Sequence, residues 1–342
     1  MTKMLNFDSF TLVPTYSDIT SRSEVDISST VNGIRSNLPI INANMLSLCT
    51  PPMISKLYNY NTFSSYHRFF DSIDTKKQTI ISIIENNVQK PQYIKKDVEL
   101  DLFLERFYIS LGTKMSEEVP FIDWLYVNGI RNVIIDVNHG HHIMVKEMIG
   151  FIKSSYPDMI IMAGNVCSVD GISYLRDCGA DIIKVGNSFG FSCSTIKATG
   201  FGVNSIHAAK EFREKTSDWD TALCMDGGIR EVADIAKALI WGNIVMCGKL
   251  LAGCDESFGE RKMINGECFK EYYGNASFQC KKIINQDHIK NIEGVTKFVP
   301  YTGSIDNELR SIKEGLQSAF SFIGARNLQE YQAKAVGQIL ML

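Results

Sequence analysis

The 342-residue chain is 45% hydrophobic and 21% charged, a composition that excludes a disordered or fibrous chain. Its formal net charge of −3 excludes a basic field that would recruit nucleic acid or an anionic membrane, and no apolar run reaches membrane-spanning length. Nine cysteines without a Cys-x-x-Cys pair speak against both a disulfide framework and a zinc site, and fit reduced thiols in a cytoplasmic protein. Residues 1–8 are too short and too polar-interrupted for a secretory signal.

In chain order, short apolar and β-branched runs fall at 40–43, 62–66, 108–111, 132–137, 159–163, 181–185, 221–225 and 244–247. Between them lie amphipathic stretches at 76–87, 142–155, 170–177, 205–215 and 231–241. Such alternation predicts parallel strands with crossover helices, and eight units are the number that closes a (β/α)₈ barrel of the TIM type. A doubly wound open sheet satisfies the same pattern. No repeat, low-complexity tract or flexible linker divides the chain, which predicts a single α/β domain over 1–342.

The sixth run opens into a glycine-rich loop, 181-DIIKVGNSFGFSCSTIKATGFG-202. Glycines there let a ligand approach the backbone closely. Cys193 is followed by the hydroxyls Ser194 and Thr195, so a sulfur nucleophile and a proton-transfer group share one loop. An inert structural cysteine is the alternative. After the seventh run comes 226-DGGIR-230, where Asp226 can accept hydrogen bonds from vicinal hydroxyls and Gly227–Gly228 permit close approach. After the eighth comes 247-CGKLLAG-253, with Gly248 and Lys249 leading into a helix start that suits an anion. In a barrel these loops share the C-terminal face, where phosphate often binds after strands seven and eight. His139, His141 and His142 are spaced without other ligands for a tetrahedral metal site. Cys167, Cys178, Cys224 and Cys247 read as core, as do Phe63, Phe69 and Phe70.

Several segments together resemble the IMP dehydrogenase/GMP reductase family: 12-LVPTYSDITSRSEVD-26, 163-AGNV-166, the Cys193 loop, 226-DGG-228 and 248-GKLLAG-253. The resemblance runs from about residue 7 to residue 328 and implies a TIM barrel whose cysteine attacks purine C2. Only a short segment separates His67 from Leu111, too little for the regulatory insertion of the dehydrogenases, and 272–300 lacks their Arg-Tyr pair. Glu293-Gly294 and Val299-Pro300, with 42-NANM-45, 66-YHRFF-70, 136-DVNHGHH-142 and 302-TGSI-305, look like the reductase branch. An IMP dehydrogenase without its usual flap and a catalytically impaired nucleotide-binding regulator are the alternatives.

The resemblance implies NADPH as cofactor, GMP and IMP as ligands, and a homotetramer. It implies Cys193 as nucleophile, with Thr195 and Glu293 moving the proton to the leaving amine. Asp226 would bind the ribose, and Gly227, Gly228, Gly248 and Lys249 the phosphate. Asn275, Ala276, Ser277, Lys290 and Gly294 would face the nucleotide from an active-site flap at 272–300. Ser21, Arg22, Arg68, Asp136, Val137 and Asn138 would hold the cofactor, and Gly190 and Cys193 would place carbonyls near a potassium ion. The chain departs from the family pattern in the loop from Gly186 to Phe191, where G-I-G-P-G-S is usual and Phe191 replaces a phosphate-contacting serine. Ser188 and Ile196 depart from the pattern at the cation site, Leu46 replaces an aspartate, and Asn275 stands where methionine is common.

Overall fold

Each of the eight apolar runs becomes a strand of one parallel sheet in the computed structural model. The structure describes residues 4–70, 72–88, 96–187, 189–191, 193–274, 277 and 295–342. The strands are β1 (Ile40–Asn42), β2 (Ser64–Tyr66), β3 (Phe107–Leu111), β4 (Asn132–Asp136), β5 (Ile160–Val166), β6 (Ile182–Val185), β7 (Ala222–Asp226) and β8 (Ile244–Cys247). Their neighbour order is β1-β8-β7-β6-β5-β4-β3-β2, and a parallel bridge from Ile41 to Phe63 joins the two ends. Sequential neighbours with joined ends make a (β/α)₈ barrel, so the open doubly wound alternative falls away.

The strands read as continuous apolar runs because both faces are covered. Every residue of β3 and β6 is buried, for example, between the barrel interior and the outer helices. Those helices start where side chains can satisfy orphan amides. Thr50, Ser168, Asn204 and Ser304 cap the helices Pro51–Asn59, Val169–Asp177, Ser205–Thr216 and Ile305–Ser321. Replacing such a cap by alanine costs about 1 kcal/mol. The predicted helix at 231–241 stops earlier, at Ala238, because Leu239, Ile240 and Trp241 turn inward to the core ahead of β8. Trp241 there packs edge-on against Phe10, with centroids 6.1 Å apart.

Helices Lys96–Leu104 and Met115–Val127 were not legible as periodic stripes. The second contains Pro120, a residue that reads as a helix breaker, and its apolar residues lie on more than one face. Beyond β8 the chain forms a three-stranded antiparallel sheet from Arg261–Ile264, Glu267–Tyr273 and Thr296–Pro300. Asn265 and Gly266, both at positive φ, make the hairpin turn between the first two strands. The stretch expected as one flap, 272–300, therefore has strand-paired ends, with Tyr272 opposite Lys297.

Candidate active site

Parallel strands deliver their C-terminal residues to one mouth, and two of them, β4 and β7, end in carboxylates, Asp136 and Asp226. Between them stands Lys184 of β6, whose side chain is 2% exposed. Its ammonium donates to Asp136 Oδ1 at 2.6 Å and to Asn44 Oδ1 at 3.5 Å, and lies 3.9 Å from Asp226 Oδ2. The Asn165 amide at the end of β5 donates to Asp226 Oδ2 and to the Gly186 carbonyl, each at 2.7 Å. On the far side of Asp136 lies the Arg68 guanidinium, 3.9 Å away and stacked on the Phe69 ring.

These contacts set the charge states. Burial alone would raise Asp136, but Lys184 and then Arg68 hold its carboxyl below the ordinary value. At Asp226 burial wins over the more distant Lys184, and that carboxyl is pushed up. Burial opposes the Lys184 charge as well, yet Asp136 and Asp226 together raise the ammonium above its usual value. Removing one partner of such a buried set costs about 3–5 kcal/mol, because a charge is left uncompensated.

The Cys193 loop leans on this floor. A Cβ at Gly227, which has φ +87°, would lie 3.5 Å from the Gly190 amide nitrogen, so the loops after β6 and β7 touch. The Cys193 amide donates to the Gly190 carbonyl at 3.0 Å, and its thiol donates to Thr195 Oγ1 at 3.2 Å. Thr195 is buried at the first turn of the short helix Thr195–Thr199. Cys193 is half-buried, whereas Cys49, Cys224, Cys247 and Cys254 are buried. Burial pushes those four thiols up, Cys254 to about 12. Cys167 and Cys178, expected in the core, are only half-buried.

A third set of groups forms the rim on the β8 side. A Cβ at Gly248 would come within 2.7 Å of the Tyr272 hydroxyl, so only glycine leaves that approach open. Phe191 stacks on Tyr272 at 6.3 Å, with the ammoniums of Lys249 and Lys297 at 4.8 and 4.2 Å from its ring centroid. The aromatic residue that departs from the family serine thus has a packing role between two cations.

A family profile described as "IMP dehydrogenase / GMP reductase domain" matches residues 4–339. The chain belongs to the IMP dehydrogenase/GMP reductase family. It is 35% identical over 330 residues to the GMP reductase of Levilactobacillus brevis, covering 95% of this chain and 92% of that one. It is also 35% identical to the GMP reductase of Lactobacillus acidophilus, over 94% of this chain and 91% of the relative. The GMP reductase of Oenococcus oeni is 33% identical over 96% and 94% of the respective chains.

Of the positions that family resemblance singled out, Asp226 ends β7, and Cys193, Thr195, Gly227, Gly228, Gly248 and Lys249 follow β6, β7 and β8, all at one end of the barrel. Val137 and Asn138 continue from Asp136. Val137 exchanges backbone hydrogen bonds with Gly164 and Asn165, and the Asn138 carbonyl accepts from Asn187 at 3.0 Å. Ser277 is buried just past the strand that brings in Tyr272. Ser21 and Arg22 are not brought to Asp136 within the chain; Arg22 donates to Ser318 on the outer helix at 2.7 Å and lies over Phe322. Asn275, Ala276, Lys290, Glu293 and Gly294 lie outside the described residues. His142 caps the helix Ile143–Ser155, and His141 packs on Tyr174.

Lys184, Asn165 and Tyr272 escaped the sequence reading as functional positions. The Lys184 signal was present as the one charge inside the apolar strand 182-IIKV-185, on the face shared with Ile182.

Proposed function

We propose that the chain is a GMP reductase that uses NADPH to convert GMP to IMP and ammonia through a covalent bond to Cys193. The observation that carries this reading is the meeting of Cys193, Thr195 and the Asp136–Lys184–Asp226 floor at one barrel mouth. Asp226 accepts hydrogen bonds from the ribose hydroxyls. The backbone of Gly227, Gly228 and Gly248, with Lys249, receives the phosphate. The base lies toward Cys193 and Ser277, and Asn275, Ala276, Lys290 and Gly294 are assigned to the nucleotide in the same reading.

Cys193 passes its proton through the Thr195 hydroxyl bonded to it to the Glu293 carboxylate, and its sulfur adds to purine C2 as the C2–N3 π pair moves onto N3. Thr195 with Glu293 delivers a proton to the 2-amino group, the C–N bond breaks, and ammonia leaves a thioimidate at C2. NADPH, which Asp136 and Arg68 would help to hold, would supply the hydride that C2 accepts. The C–S bond breaks last, releasing IMP and restoring the thiolate.

The floor fits a nicotinamide amide. Asp136 is an ionised acceptor at the mouth, 18% exposed and fixed by Lys184. Val137 and Asn138 follow it into the next loop, and Arg68 adds positive charge. Ser21 and Arg22, which lie beside the outer helix of this chain, would join the cofactor set from a neighbouring subunit of the homotetramer. A potassium ion near Gly190 and Cys193 would have to share the Gly190 carbonyl with the Cys193 amide. A cytoplasmic homotetramer belongs to the same reading.

The test is NADPH oxidation by the purified protein, followed at the nicotinamide absorbance band with GMP present. One ammonia and one IMP should form per NADPH consumed. Binding of GMP without cofactor oxidation would make the protein a nucleotide-binding regulator instead.

A further inference from the structure

We propose that Lys184 is a positioning residue for both halves of the site, its one buried ammonium holding Asp226 and Asp136 as acceptors for the nucleotide and the nicotinamide. The inference rests on the proposed function, which assigns those two ligands to the two carboxylates. At 2% exposure the lysine side chain is covered, so it acts through its partners. Its ammonium reaches Asp136 at 2.6 Å and lies 3.9 Å from Asp226, from a strand that stands two places from β4 and next to β7 in the barrel.

The two carboxylates depend on it unequally. Asp136 has a second cation, Arg68, at 3.9 Å. The groups facing Asp226 are Lys184 from β6, Asp136 from β4, the neutral amide of Asn165 from β5, and the buried thiols Cys224 and Cys247 from β7 and β8. Among the described residues, Lys184 is the only cation within ion-pair distance of Asp226.

Without the ammonium, two carboxylates would face each other across a buried space, and proton uptake relieves that repulsion. Asp226, already raised by burial, then takes up its proton at higher pH than in the wild type. A protonated carboxyl has lost acceptor capacity for two vicinal hydroxyls. Nucleotide binding in such a variant is therefore retained at high pH and lost as pH falls.

The experiment is the GMP KM of Lys184→Met divided by that of the wild type, measured from about pH 9 down to about pH 6. The ratio should grow by about tenfold per pH unit below the raised Asp226 value, the slope of one proton. Lys184→Arg, which keeps the charge, should hold the ratio level. A purely structural lysine would change KM by a factor independent of pH, and that result overturns the proposal. If Lys184→Met does not fold, the paired variant Asp136→Asn/Lys184→Met removes one charge of each sign. GMP binding to it, read by calorimetry against the wild type, should still weaken as pH falls, because Asp226 has lost its cation. The loss should begin at lower pH than with the Asp136 charge present, and a level ratio there again overturns the proposal. A wild type that does not turn over GMP overturns the proposed function and this inference together, whereas turnover with a level ratio overturns the inference alone.

Discussion

The floor of the barrel mouth and its rim on the β8 side both carry charge, but they hold it differently. On the floor, Lys184 is covered, bonded at 2.6 Å, and flanked by carboxylates that end two strands. On the rim, Lys249 and Lys297 sit over the Phe191 ring, and no carboxylate of the described residues lies within ion-pair distance of either. Strands fix positions to fractions of an ångström, and a covered charge is screened little by salt. Lysine side chains over a ring retain rotamer freedom, and water and salt screen them. The floor is thus built for geometry and the rim for attraction at longer range.

That contrast orders the expected effects. Asp226→Ala should weaken GMP binding by about 1–3 kcal/mol, the cost of hydroxyl contacts left unmade. Calorimetric titration should give nearly the same loss at low and high salt, since the lost contacts are short and covered. An unchanged dissociation constant would remove Asp226 from the ribose. Lys297→Ala should cost less, about 0.2–1 kcal/mol, as for an exposed ionic contact, and most of that should vanish at high salt. A salt-independent loss as large as that of Asp226→Ala would mean that the rim is built like the floor.

Much of the barrel was legible in the sequence because its strands are buried on both faces and its helices begin at recognisable caps. The run at 244–247 coincides with β8, and the stretch at 142–155 with a helix that starts one residue later, behind its cap His142. Elements without such a signal were lost: Pro120 hid one helix, and in the sheet that carries Tyr272 the two outer strands are mostly exposed. At the site, residues at loop glycines and strand ends stood out because backbone freedom and position restrict their roles. Lys184 did not, since a lysine in a strand gains meaning only from Asp136 and Asp226, which are 48 and 42 positions away in sequence. Phe191 likewise reads as a loss until Tyr272, Lys249 and Lys297 are placed around it.

Covalent catalysis by Cys193 is the claim on which the account turns, and trapping the enzyme–nucleotide adduct tests it most directly. The protein would be mixed with GMP and NADPH, quenched during turnover, and its peptides mapped by mass spectrometry. The account predicts a purine nucleotide joined through sulfur on the peptide that contains Cys193. Cys193→Ala should show neither the adduct nor turnover, although it still binds GMP. Continued reduction of GMP by Cys193→Ala, or an adduct carried by a different cysteine, would contradict it.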